Sequence, residues 1–262
     1  MRRAVATGVC AVALGSAATA AEAAAPPGWS PDVAAARNYL AQRAGNVSFA
    51  VRTERRVWGH RRLRVVPAAS VLKAMLMVAY LNRREVRDRP LRRRDLRLLR
   101  PMIRRSDNST ASYIRNLVGN RGLRRVARRA GMRSFTPVAH PWGHSLVNAA
   151  DQARFFLKID RCVVRRHRRR ALRLLHSIVP SQRWGVARVV PRGWELYFKG
   201  GWGSGTGAVD HQVALLRRGP YRVSAAVMTT ANGSHSYGKA TLRGVFRRLL
   251  RGLGGVQQPS WG

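Results

Sequence analysis

In Ser70-Val71-Leu72-Lys73-Ala74-Met75-Leu76-Met77-Val78-Ala79-Tyr80-Leu81, Lys73 is the only charged side chain. The apolar run is long enough for three helical turns. On such a helix a hydroxyl at 70 and an amine at 73 share one face, one turn apart. Ser70 stands where the helix begins, among backbone N–H groups that lack intrahelical partners. Burying a lysine in an apolar run is costly unless the amine has a partner or a task. Ser70 and Lys73 are therefore a candidate nucleophile and base.

The composition sharpens this reading. The chain has 262 residues, with 50 Lys plus Arg against 11 Asp plus Glu, a formal charge of +39. Only four of the cations are lysines: Lys73, Lys158, Lys199 and Lys239. Arginine keeps its proton in a protein, whereas a buried lysine can lose it. A lysine retained in an arginine-rich chain thus points to a need for an amine. The apolar fraction of 45% is that of a globular protein with an ordinary core.

Residues 1–25 read as a secretory signal: Arg2 and Arg3, an apolar centre over 4–14, then small residues with Ala-x-Ala options. The expected location is secreted or cell-envelope. No other segment approaches ~18 consecutive apolar residues, the length of a membrane span. After cleavage only Cys162 remains, so no internal disulfide is expected.

Ser30 and Pro31 suit the cap and first position of a helix reaching about Arg43. Residues 47–51 alternate like a strand, and 56–60 return as its hairpin partner. From 70 to about 188 the pattern is helical, with helices over 111–118, 123–130, 148–157 and 170–178. Residues 194–199 then form a strand that ends in the glycine-rich turn 200–205. Strands at 209–216 and 221–229 and a helix over 237–250 follow. The predicted fold is α+β: an antiparallel sheet flanked by terminal helices, with an inserted all-helical lobe. The expected organisation is one catalytic domain, 26–255, followed by a disordered tail, 256–262. Its α/β lobe takes about 30–69 and 190–253, and its helical lobe about 70–189.

Three short motifs occur in order: Ser70-Val71-Leu72-Lys73, Ser106-Asp107-Asn108, and Lys199-Gly200-Gly201 at the end of a strand. Together they resemble the S-x-x-K, S-D-N and K-T-G signature of class A β-lactamases and penicillin-binding proteins. The resemblance spans essentially the whole mature chain. It implies the β-lactamase/transpeptidase-like fold and acyl transfer onto Ser70, with Lys73 as base. It also implies that Ser106 relays a proton to the leaving nitrogen and that Asn108 orients Lys73 and a substrate amide. Lys199 would supply positive charge to Ser106 and to a substrate carboxylate. The backbone N–H groups of Ser70 and of Trp202, just after Gly201, would form the oxyanion hole. Lowering of the Lys73 pKa is expected from burial and from cationic Lys199. Asp107 is expected to anchor its loop. No cofactor or metal is implied.

Two departures from the pattern matter. Gly200 stands where the family usually has Thr or Ser, a hydroxyl that helps hold the substrate carboxylate; Ser204 and Thr206 are the nearby replacements. The loop 133–147, where class A enzymes carry the glutamate that activates the deacylating water, has no Asp or Glu. His140 and His144 lie in it and have a suitable ordinary pKa. Acylation with slow release is therefore expected. The absent acid leaves a cell-wall D,D-peptidase, or another serine hydrolase acting on cell-wall peptides, as the rival enzyme. Of another class, a catalytically weak protein binding anionic cell-envelope polymers through its arginines also fits. The arginine runs lack interleaved aromatics, which argues against dedicated nucleic-acid binding. A monomer is expected.

Overall fold

The structure is a computed structural model that describes residues 26–203 and 205–255. The signal expected over 1–25, the tail expected over 256–262 and Ser204 lie outside the described residues. In chain order the elements are α1 (Val33–Ala41), β1 (Asn46–Arg52), β2 (Val57–His60), β3 (Val66–Pro67), α2 (Leu72–Leu81), α3 (Arg84–Arg87), α4 (Arg93–Arg104) and α5 (Asn108–Ala130). There follow β4 (Leu146–Val147), α6 (Ala149–Leu157), α7 (Ile159–Cys162), α8 (Arg168–His176), β5 (Glu195–Gly203), β6 (Val209–Arg218), β7 (Tyr221–Thr230) and α9 (His235–Leu249).

The sheet has five strands in the order β2-β1-β7-β6-β5, all neighbours antiparallel. Residues along β6 and β7 are buried almost without interruption, so both faces of the sheet are covered. Alternation sorts the contacts. Ser224 donates to the carbonyl of Ala153 in α6 (2.6 Å), and its partner across the ladder is Leu215. Odd-numbered positions of β6 therefore face α6. Even-numbered Asp210 meets His235 of α9 on the other face. This is the α+β architecture expected from the sequence.

Local details differ from the sequence reading for physical reasons. Asp32, not Ser30, caps α1, its carboxylate accepting from the Ala35 amide at 2.8 Å. The helices expected at 111–118 and 123–130 are both present within α5, separated by the non-helical Gly119 (φ 58°, ψ 179°). α6 lies in the stretch read as the inserted lobe, yet it packs on β1, β6 and β7. Asn148 caps it as expected, accepting from Asp151 N at 2.8 Å. The strand expected to stop at Lys199 continues to Gly203, because the ladder pairs Gly200 with Gln212, Gly201 with His211 and Trp202 with Asp210. Every residue of α2 is buried, Lys73 included.

Candidate active site

The site is built where α2 begins against the edge strand β5. Ser70 lies in a 3-10 turn, Ala69–Val71, that runs into α2. Ala69 has φ 45°, a left-handed conformation costly for a residue with a Cβ. The preceding segment is fixed from two sides. The Ala68 amide donates to Ser145 O at 2.7 Å, and His211 Nε2 bonds the Pro67 carbonyl at 2.9 Å. The Thr229 amide donates to His211 Nδ1 at 3.1 Å, so Nε2 carries the proton and the ring is neutral. Burial holds its pKa down to about 4.

Ladder alternation turns Lys199 and Gly201 to the face that meets the Ser70 turn. A Cβ on Gly201 would lie 2.8 Å from the backbone nitrogens of both Ser70 and Val71. Only glycine lets β5 come this close. The approach places the backbone on either side of the Gly201–Trp202 peptide beside the helix start, where unpaired N–H groups gather.

Beneath this contact lie two buried amines and one hydroxyl. Lys73 Nζ is 2.5 Å from Ser106 O, 2.6 Å from Asn108 Oδ1 and 3.2 Å from Ser106 Oγ. Lys199 Nζ is 3.0 Å from the same Ser106 Oγ and 2.7 Å from Gly200 O. Ser106 is held in a left-handed conformation, φ 60°. Asp107 caps α5, accepting from Thr110 N at 2.7 Å and Thr110 Oγ1 at 2.6 Å, the anchoring role expected of it.

Burial lowers the Lys73 pKa to about 7, while the Asp107 carboxylate acts the other way. Burial also carries Lys199 well below its ordinary value, and the charge of Lys73 adds to that. The sequence reading gave Lys199 a part in lowering Lys73. Desolvation is the dominant cause at Lys73, and the repulsion between the amines falls on Lys199. A neutral Lys73 has two N–H bonds and one lone pair. Ser106 O and Asn108 Oδ1 take the two N–H groups. The lone pair is left for a hydroxyl proton.

The predicted residues Lys73, Ser106, Asn108 and Lys199 thus form one hydrogen-bonded cluster. Ser70 and Trp202 line the cavity above it, about 460 Å³, together with Asn108, Ser112, His140 and Trp142. Among the described residues, Lys73 makes no hydrogen bond to Ser70; its close partners are Ser106 and Asn108. Catalytic hydrogen bonds are often long in an unliganded site and tighten around substrate.

The departures also have structural counterparts. A Cβ on Gly200 would sit 3.2 Å from the indole of Trp184. That ring is fixed edge-on to Trp202 (5.8 Å) and to His235 (5.4 Å). Gln212 pins its backbone, donating to Trp184 O at 2.9 Å and accepting from Val186 N at 2.8 Å. Trp184, Gln212 and His235 escaped sequence reading because packing alone joins them to β5. Thr206 lines the cavity, and its hydroxyl donates to Gly203 O at 3.3 Å. His144 bonds Gly205 O at 3.0 Å, which ties the loop to the end of β5, whereas His140 faces the cavity. Among the described residues no Asp or Glu lines it. Asp151, the acid nearest the loop in sequence, accepts from the amides of Arg133 (2.9 Å) and Ser134 (2.7 Å).

A serine at a helix start, two buried lysines sharing one hydroxyl and a glycine-bearing edge strand define a serine-hydrolase type of site on an α+β fold. The model of the Beta-lactamase enzyme family matches residues 88–251, well over half of the chain. The chain belongs to that family. The matched segment contains Ser106, Asn108 and Lys199 and begins after Ser70 and Lys73. Among solved structures, the β-lactamase from Sphaerobacter thermophilus DSM 20745 is similar with a TM-score of 0.72 at 20% identity, over 87% of this chain and 98% of that one. A β-lactamase from Xanthomonas campestris pv. campestris aligns with a TM-score of 0.71 at 15% identity, over 82% and 94%. An ancestral class A β-lactamase aligns with a TM-score of 0.69 at 16% identity, over 83% and 98%. At these identities the likeness is one of fold. No curated protein matches the chain.

Proposed function

We propose that the protein is an exported serine hydrolase of the class A β-lactamase type, acylated at Ser70 by β-lactams or D-Ala-D-Ala-like amides and slow to deacylate. The observation that carries this reading is the placing of Lys73: a buried amine one helical turn from Ser70, its pKa lowered by burial to about 7, bonded to Ser106 O, Asn108 Oδ1 and Ser106 Oγ. Lys73 takes the Ser70 proton as Oγ bonds to the carbonyl carbon. The oxyanion is held by the N–H groups of Ser70 and Trp202. The C–N bond then breaks as Ser106 gives its proton to the leaving nitrogen, and Lys73 returns a proton to Ser106. Lys199 keeps the Ser106 hydroxyl oriented. The absence of a carboxylate from the cavity lining, among the described residues, supports slow release of the acyl group. His140 is the titratable side chain that reaches the cavity in its place. The same absence favours a D,D-peptidase acting on cell-wall peptides as the second reading within this class.

The test is intact mass after exposure of the mature protein to a labelled penicillin. One adduct is expected on wild type, none on Ser70→Ala, and it should decay slowly. An equal adduct on Ser70→Ala sinks the assignment, and rapid turnover sinks slow release.

A binding role beside catalysis has its own observation. A cavity of about 690 Å³ runs along α4 and is lined by Arg93, Arg97, Arg100, Arg104 and Arg105 without an acid among the described residues. Such a groove suits anionic cell-envelope polymers held in a salt-dependent way. Retention on an anionic column that survives loss of Ser70 labelling would favour this reading over an enzyme.

A further inference from the structure

We propose that Trp142 is a positioning residue for acyl transfer: its indole lies as a lid between the Lys73 amine and the cavity at Ser70, and keeps water off that amine. The lid is read from packing; its use in acylation rests on the acyl-transfer reading.

The first observation is where the two side chains stand. Lys73 is wholly buried and is not among the described residues that line the cavity, whereas Trp142 is half-buried and lines it. Lys73 Nζ lies over the indole, 5.1 Å from the ring centroid. Its hydrogen-bond partners, Ser106 and Asn108, belong to the segment that leads into α5. The indole covers the amine from the cavity side.

The second observation is that the lid is fastened. Trp142 Nε1 donates to Ser112 Oγ at 3.0 Å. Ser112 stands four residues after Asn108, one turn along α5, so one helix face holds both the amine and its cover. The Trp142 carbonyl accepts from Ser145 N at 3.1 Å and from Ser145 Oγ at 2.8 Å. Ser145 O in turn accepts from the Ala68 amide at 2.7 Å, just ahead of Ser70. The loop that carries the lid is thereby tied to the segment that carries the nucleophile.

The third observation is that the neighbouring charges do not explain the amine. The charged groups facing Lys73 are Asp107, which caps α5, and Lys199 of β5; His140 stands outside in the cavity lining. Asp95, near the far end of α2, is engaged by Tyr80 and Arg89. Asp107 favours the ammonium, and the repulsion between the amines falls on Lys199. Burial holds the Lys73 pKa down to about 7, and on the cavity side Trp142 supplies that burial. An indole face also attracts an ammonium, but full burial moves a lysine by up to ~3–5 on the pH scale, more than one such contact returns.

The experiment is NMR of the lysine ε-carbons in the mature protein, where only Lys73, Lys158, Lys199 and Lys239 give signals and Lys73→Arg assigns the one of interest. In Trp142→Ala water enters, and the Lys73 midpoint is expected to rise from about 7 to about 8 or above. Trp142→Phe keeps an apolar face and should stay within about 0.5 of wild type. Ser112→Ala loosens the ring without removing it and should give a smaller rise. Penicillin labelling should follow the midpoint: Trp142→Ala about fivefold slower than wild type at about pH 7, with the gap closing by about pH 9. General damage to the fold would slow labelling equally at both. An unchanged or lowered midpoint in Trp142→Ala overturns the lid, as does a deficit that persists at the higher pH. If penicillin does not label wild type, the acyl-transfer reading falls while the NMR midpoints still decide the lid. Unmoved midpoints remove the lid even where labelling succeeds.

Discussion

Replacing Asp107 with Asn is expected to move the acid limb of acylation to lower pH. In the wild type, burial sets the Lys73 pKa at about 7. If neutral Lys73 is the base, about one-tenth of the protein is competent at pH 6 and about nine-tenths at pH 8, a tenfold fall per unit well below the midpoint. Asp107 opposes the effect of burial, since its carboxylate favours the ammonium. Removing that charge leaves burial unopposed, so the midpoint falls and the variant acylates faster than wild type near pH 6. Asn is as good a helix cap as Asp, and its amide oxygen can still accept from Thr110. The assay is single-turnover labelling with a fluorescent penicillin between pH 5 and 9. A flat profile, a limb near the ordinary lysine pKa, or a midpoint that rises in Asp107→Asn would refute the role given to Lys73.

Three further outcomes are expected. Gly201→Ala places a methyl group 2.8 Å from two backbone nitrogens and should slow labelling about a hundredfold, whereas Gly205→Ala enters open space and should stay within about threefold; equal effects in the labelling assay would contradict the close approach. His140→Gln should leave the labelling rate unchanged and lengthen the adduct lifetime about tenfold or more, seen as slower loss of adduct mass; an unaltered lifetime removes His140 as the base for water. Arg222→Leu strands Asp160, which accepts from that guanidinium at 2.7 and 3.0 Å, and should cost about 3–5 kcal/mol in urea unfolding; a loss below about 1 kcal/mol would show the pair to be dispensable.

Much of the site was legible because its groups sit in short motifs with local geometry. The spacing of Ser70 and Lys73 depends only on helical periodicity. Asp107 reads as a cap from its place before α5. The glycines of β5 were harder. Gly200 and Gly201 signal a turn by propensity, yet the ladder to Gln212 and His211 holds them in the strand. Ser30-Pro31 has the composition of a helix start, but the carboxylate of Asp32 reached the free amide first. The aromatic wall could not be read at all. Trp184, Trp202 and His235 come from three separate segments and meet only through tertiary packing. The position of α6 on the sheet was hidden for the same reason, since its own periodicity does not say which layer it joins.

The contact between Trp184 and Gly200 constrains how this chain can change over generations. Position 201 is closed to every side chain by backbone, and no neighbour can relieve that. Position 200 is crowded by a ring, which must give by a few tenths of an ångström or be removed by substitution. A threonine there would meet the indole first, so its benefit depends on what already occupies position 184. The two sites are coupled: gain of the hydroxyl requires the ring to shift or to be lost. Any mutational path by which this lineage acquires a hydroxyl beside Lys199 therefore depends on what stands at 184, and substitutions at 200 are best screened together with substitutions at 184.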